Sequence, residues 1–194
     1  MPNVVGVLAL QGAFDKHIEM LSAIGVDCQR VRFAHELDAC VALIIPGGES
    51  TTMSLLIQKF DLYDRLREFA EKKPVMGICA GAILMAEVVD DVRVTPLKIM
   101  PIAAIRNSYG RQVSSFSTEL ILKSDVDGPA YLAHFIRAPV IKSGNDNIEV
   151  LASYNDEAVM MRLGLHIVVT FHPELTNDNR IHVCWLKGFH PAFN

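Results

Sequence analysis

The sequence has no strong excess of charge of either sign and no long apolar run. Its 18 basic and 22 acidic residues leave a net charge of −4, which gives nucleic acid no electrostatic reason to bind. No stretch of about 18 consecutive apolar residues occurs, so no membrane-spanning helix is expected. Met1 leads straight toward an apolar run, without a basic segment and cleavage site, so no secretory leader is expected. The cysteines Cys28, Cys40, Cys79 and Cys184 form no C-x-x-C pair and no metal-type spacing. They fit reduced thiols in a cytoplasmic protein, and no metal is expected. Internal repeats, linkers and low-complexity segments are also lacking.

What is present is an apolar fraction of 51% against 21% charged residues over 194 positions. That composition is globular and suits one domain with a substantial core, spanning residues 1–194. The first half alternates strand and helix. Val4 to Leu10 is a nearly continuous apolar run, the pattern of a central parallel strand covered on both faces. Phe14, Ile18, Leu21 and Ile24 form the apolar stripe of a helix stopped by Gly25, with Asp15, Lys16 and Glu19 outside. Val26 to Phe33 and Val41 to Ile45 are further strand candidates, followed by a helix capped by Ser50 or Thr51 and a helical stretch from Asp61 to Glu71. The second half is strand-rich: Thr118 to Lys123, Tyr131 to Arg137, Ile148 to Ser153, Ala158 to Arg162 and His166 to Phe171 precede a closing helix over Asn177 to Phe189. The fold class is therefore α/β, a mostly parallel open sheet flanked by helices, with extra strands in the C-terminal half.

One stretch carries chemistry. Val75 to Ile78 is a short buried strand, and Ala80 to Glu87 an apolar helix. Between them, Gly77-Ile-Cys79-Ala-Gly81 has the form of a nucleophile elbow with a thiol in place of a hydroxyl. A thiol at a helix N-terminus gains from the positive end of the helix dipole. Open α/β sheets form sites at the carboxyl ends of their strands, and two other such ends are unusually polar: Pro46 to Thr52 and His172-Pro-Glu174. His172 is a candidate base, and Glu174, two residues on along an extended segment, is a candidate orienting carboxylate. Gly47-Gly48 and the N–H of Ala80 are candidate oxyanion donors. Taken singly, each has a plain alternative: a core cysteine, a satisfied histidine, a solvated glutamate, a glycine turn.

With Leu8-Ala-Leu-Gln11-Gly12, Pro46 to Met53, Arg106 to Gln112, Phe135 to Pro139 and Thr170 to Thr176, the elbow and the His-Pro-Glu segment resemble the class I (triad) glutamine amidotransferases. Among these the likeness is to the family of glutaminase subunits of pyridoxal 5′-phosphate synthases, from about Val4 to about Phe189. The segment 89–105, Ser117 and the region of Leu163 to Leu165 depart from that family's pattern. The resemblance implies Cys79 as nucleophile, His172 as base and Glu174 as its orienter, hydrolysing L-glutamine through a γ-glutamyl thioester. It implies Gly47, Gly48, Glu49 and Ser50 as the glutamine-binding and oxyanion loop, and Arg106, Ile136 and Arg137 as further pocket positions. Gln11 is expected near the site. The implied partner is a (β/α)₈-barrel synthase subunit in a hetero-oligomeric complex; no cofactor, nucleic acid or membrane is implied. Two alternatives share the features: the glutaminase of another class I amidotransferase, or a non-catalytic scaffold that docks a synthase.

Overall fold

The computed structural model describes residues 3–106, 115–123, 126 and 128–193. Its centre is a seven-stranded sheet. Four strands come from the first half: β1 (Val4–Leu8), β2 (Cys28–Val31), β3 (Cys40–Ile45) and β4 (Val75–Ile78). The remaining three come from the end of the chain: β10 (Glu149–Tyr154), β11 (Glu157–Leu163) and β12 (His166–Val169). The order is β10-β11-β12-β4-β3-β1-β2. β12, β4, β3, β1 and β2 run parallel, and β10 and β11 pair antiparallel beyond β12.

The parallel strands read as unbroken apolar runs because both of their faces are covered. Side chains alternate between two cores. Leu43, Ile45 and Val75 pack with Met53 and Ile57 of α2 (Ser50–Lys59), Leu66 of α3 (Tyr63–Ala70) and Leu84 of α4 (Ala80–Met85). On the opposite face, Val5, Val7, Ile44 and Met76 pack with Leu21 of α1 (Phe14–Ala23) and with Ile181, Trp185 and Leu186 of α5 (Arg180–Lys187). Gly25, at φ +76, closes α1 as expected.

Two small sheets complete the chain. β5 (Ala86–Val89), β6 (Met100–Ile105) and β9 (Val140–Ser143) form one, and the hairpin of β7 (Ser115–Leu120) and β8 (Tyr131–Ile136) forms the other. The first differs from expectation. The helix after the elbow stops at Met85 instead of running to Glu87, because Ala86 to Val89 pairs in parallel with β6, Ala86 opposite Met100. The cap of α2 differs too. Glu49, one residue before the expected hydroxyls, is the N-cap, and its carboxylate accepts from the N–H groups of Thr51 and Thr52. A carboxylate there also meets the positive end of the helix dipole.

Register places the chemistry. Ile45 pairs with Gly77, and Val169 with Ile78. The chain therefore leaves three adjacent parallel strands at one edge, through Pro46, Cys79 and Thr170.

Candidate active site

Cys79 has φ 49 and ψ −100, a conformation that costs a non-glycine residue about 1–3 kcal/mol. Its neighbours hold it there. Its N–H donates to Val169 O at 2.7 Å, and Ile83 N–H returns to its carbonyl at 3.2 Å. The flanking glycines are dictated by close approach. A β-carbon on Gly81 would lie 2.0 Å from Ile45 O, and one on Gly77 would lie 2.5 Å from Met85 Sδ and 2.7 Å from Gly81 O. Only glycine lets α4 pack this tightly on the strand ends.

The candidate base stands across from the thiol. His172 is anchored by its N–H donating to His134 O at 2.8 Å, and its Nδ1 lies 2.7 Å from Glu174 Oε1. That contact was expected from an extended segment. The structure achieves it instead through a single 3₁₀ turn, Pro173–Leu175, with proline at its start. Burial works against a charge on the imidazole, but the Cys79 sulfur and the Glu174 carboxylate outweigh it and push its pKa up to about 10. Burial likewise opposes ionisation of Glu174, and the hydrogen bond from His172 together with nearby histidine charge turns the balance, so its pKa is lowered. Nε2 of His172 is buried with no hydrogen-bond partner of normal geometry among the described residues. A β-carbon on Gly47 would sit 2.6 Å from His172 Cε1 and 3.6 Å from Cys79 Cβ, so that glycine keeps the space beside thiol and imidazole open.

These groups line a cavity of about 280 Å³. Gly47, Gly48, Glu49, Ser50, Cys79, Ala80, Arg106, Ile136, Arg137 and His172 all face it, and Glu174 stands behind His172. Gln11 lines it as well, and its Oε1 accepts from Glu49 N–H at 2.7 Å, tying the first β–α loop to the glycine loop. Ala13 N–H donates to Gly47 O at 3.2 Å in the same zone. The Cys79 Sγ approaches Ile136 O at 3.8 Å.

The two arginines differ. Arg106 is committed: its Nη2 reaches Glu49 Oε1 at 3.1 Å, its Nη1 reaches Thr51 Oγ1 at 3.0 Å, and it pairs with Asp91. Burial would raise the Glu49 pKa, but the Thr52 and Thr51 donors prevail and hold it at about 2. Arg137, in the left-handed region at φ 45, is exposed at the cavity mouth. Asn107 to Gln112 lie outside the described residues.

Sequence reasoning missed Asp91 and two histidines. His17 is fully buried next to Glu174, and His182, also fully buried, meets His17. A signal existed for His17: it shares the inward face of α1 with Phe14 and Leu21, three residues before and four after it. Among the described residues no His, Cys, Asp and Glu cluster could hold a metal ion, and no helix is long and apolar enough to cross a membrane. None of the four cysteines is in a disulfide.

Comparison with known proteins gives a consistent result. Residues 7–190 match the SNO glutamine amidotransferase family. The chain is 47% identical over 185 residues, 95% of its length and 98% of the relative's, to pyridoxal 5′-phosphate synthase subunit PdxT of Desulforamulus reducens. It is 43% identical over 183 residues, 94% of its length and 97% of the relative's, to the subunit of the same name from Francisella philomiragia. A solved glutamine amidotransferase superposes with a TM-score of 0.89 at 38% identity, over 95% of this chain and 98% of that one. PurLQS from Thermotoga maritima superposes at 0.69 with 14% identity, over 96% and 99%, a likeness of fold alone.

Proposed function

The chain belongs to the SNO glutamine amidotransferase family, and from that premise we propose that residues 1–194 act as the glutaminase domain of a pyridoxal 5′-phosphate synthase. In this reading the chain hydrolyses L-glutamine to L-glutamate and passes ammonia to a (β/α)₈-barrel synthase subunit. The observation that carries it is the convergence of Cys79, His172 and the Gly47–Ser50 loop on one cavity, with Glu174 hydrogen-bonded behind the imidazole.

The Cys79 thiolate attacks the side-chain amide carbon of glutamine. The oxyanion that forms is held by backbone N–H groups of the Gly47–Gly48 loop and of Ala80. His172, held protonated by its acidic neighbours, gives its proton to the departing ammonia as the thioester forms. Now neutral, it takes a proton from water, which attacks the thioester; glutamate leaves, and thiolate and imidazolium return together. Glu174 keeps the imidazole in the tautomer and orientation both steps need. Glu49 suits the α-ammonium of glutamine and Arg137 its α-carboxylate, while Arg106 fixes Glu49 in place. Ser50 and Ile136 shape the remaining wall.

The test is a pull-down with the purified synthase barrel subunit followed by a glutamate-release assay on the complex. Stable association with glutamate release supports the reading. Association without release would make the chain a scaffold, and release without association would assign it to another amidotransferase.

A further inference from the structure

Beyond the triad stand two fully buried imidazoles that the mechanism leaves unused. His17, on α1, and His182, on α5, are each 0% exposed. Burying a polar ring is unfavourable unless it is satisfied, and an apolar side chain would fill the same space without that penalty. Packing alone therefore gives no reason for two imidazoles here. Their neighbours do. His17 Nε2 lies 3.5 Å from Glu174 Oε2, and His17 Nδ1 lies 3.0 Å from His182 Nε2, with the rings tilted by 47°. Glu174 Oε2 and His182 Nδ1 make no hydrogen bond of normal geometry among the described residues.

The carboxylate decides where the protons sit. Burial holds His17 neutral, its pKa lowered to about 4, and burial also lowers that of His182. A neutral imidazole carries one N–H. Were it on Nδ1, the bare Nε2 lone pair would face a carboxylate oxygen and repel it. With the N–H on Nε2, the dipole points at Glu174 Oε2, and the free Nδ1 accepts from His182 Nε2–H. Among the described residues the bare Nδ1 of His182, at the far end of the row, and the His17 Nε2–H aimed at Glu174 are then the nitrogens of the pair left without a hydrogen bond of normal geometry. At 3.5 Å the His17 contact is a charge–dipole attraction that a small shift would make a hydrogen bond.

We infer that His17, oriented by His182, is a positioning residue for Glu174: it holds the second carboxylate oxygen so that the first stays aligned on His172. Being neutral, it fixes the carboxylate without a charge that would weaken the hold of Glu174 on the imidazolium. This inference rests on the triad reading above, and its test separates the two.

Long-range ¹H–¹⁵N correlation on histidine-labelled protein reads the tautomer directly and needs no activity. At pH 7 it should show His17 neutral with its proton on Nε2; a proton on Nδ1, or a charged ring, overturns the inference. In the complex with the synthase, His17→Leu should lower kcat roughly tenfold with the KM for glutamine unchanged, the scale of one hydrogen bond to a charged group. His17→Gln, which returns an N–H near the Nε2 position, should recover most of that loss. A His17→Leu enzyme with parental kcat, or a His17→Gln enzyme as slow as His17→Leu, overturns it. If the parent complex itself releases no glutamate, the glutaminase reading falls while the tautomer still decides the contact.

Discussion

A β-carbon placed on Gly12 would lie 1.8 Å from the carbonyl oxygen of Gly47. The first β–α loop and the glycine loop thus touch backbone to backbone, and Gly12 holds φ +91 as well. Gly12→Ala must push the two loops apart. It should cost about 1–3 kcal/mol in stability, from the clash and the strained φ. Glutamate release should fall at least about tenfold, because the loop moved is the one proposed to hold the oxyanion. Denaturant unfolding and a glutamate-release assay check the two effects; parental values in both would mean that the loops can separate without consequence.

Cys79→Ala should abolish glutamate release, and Cys79→Ser should nearly do so, since an alcohol is far less ionised at neutral pH. Stability should not suffer. Cys79→Gly should raise it by about 1 kcal/mol or more, because glycine adopts the φ of 49 without strain. A glutamine-analogue electrophile should label Cys79 and spare Cys28, Cys40 and Cys184, as peptide mass spectrometry would show.

His172→Asn should be as severe as loss of the thiol, since no group remains to protonate ammonia or activate water. Glu174→Gln should leave residual turnover, because it disturbs alignment and tautomer and leaves the base in place. Steady-state kinetics of the complex rank the two; a Glu174→Gln enzyme with parental kcat would remove the carboxylate from the mechanism.

Stability should fall with pH below the ordinary imidazole range. His17 and His182 are held neutral in the fold, His17 at about 4 against 6.5 when unfolded. Between those values the unfolded chain binds more protons, so stability rises with pH across this window and is lost on acidification through it. For His17 alone the span is on the order of 3 kcal/mol. His172, raised to about 10, acts in the other sense: its contribution is full below 6.5 and is lost as pH rises toward about 10. Urea unfolding from pH 4 to 7 should show the first slope, and His17→Gln should flatten it.

The isolated chain should be a poor glutaminase, idle until the synthase docks. The Gly47 carbonyl is held by Ala13 N–H. In a trans peptide it and the Gly48 N–H point opposite ways, so turning that plane to supply or withdraw an oxyanion donor must break this bond. One such donor is typically worth about 10²- to 10³-fold in rate. Ala13→Pro removes the N–H just before α1 and should raise glutamate release by the isolated chain, narrowing its gap to the complex. An unchanged gap would place the switch elsewhere.

Much of this was legible because burial writes itself into composition. The runs at Val4–Leu8, Cys40–Ile45 and Val75–Ile78 are apolar throughout since both faces of those strands are covered, and each ends at the residues singled out for chemistry. The small sheet of β5, β6 and β9 was not legible. β5 buries only Ala86, and β6, although its burial alternates, has no polar residue to mark that period in the sequence and carries Pro101, which signals an irregular chain. The cap of α2 was misplaced by one residue because hydroxyls are the commoner cap, whereas Glu49 is held by Arg106 from far along the chain. His17 escaped notice because its partners, Glu174 and His182, lie far away in sequence and meet it only when α1 and α5 pack on the same face.

The strand that leads to the proposed base is the last of the described strands to be made and sits near the middle of the sheet. β12 inserts between β4 and β11, and only after it can Thr170 to Glu174 reach the thiol. A nascent chain would have β1 to β4 already able to pair, while lacking both Val169, whose carbonyl helps hold the elbow at Cys79, and the proposed base. Closing that gap means pairing residues about ninety positions apart, the slow, non-local kind of contact. On the proposed mechanism the order of synthesis thus acts as a safeguard of its own: no ammonia should be released before Glu174 has been made, and a chain truncated after β11 should be inert however well its first half had folded.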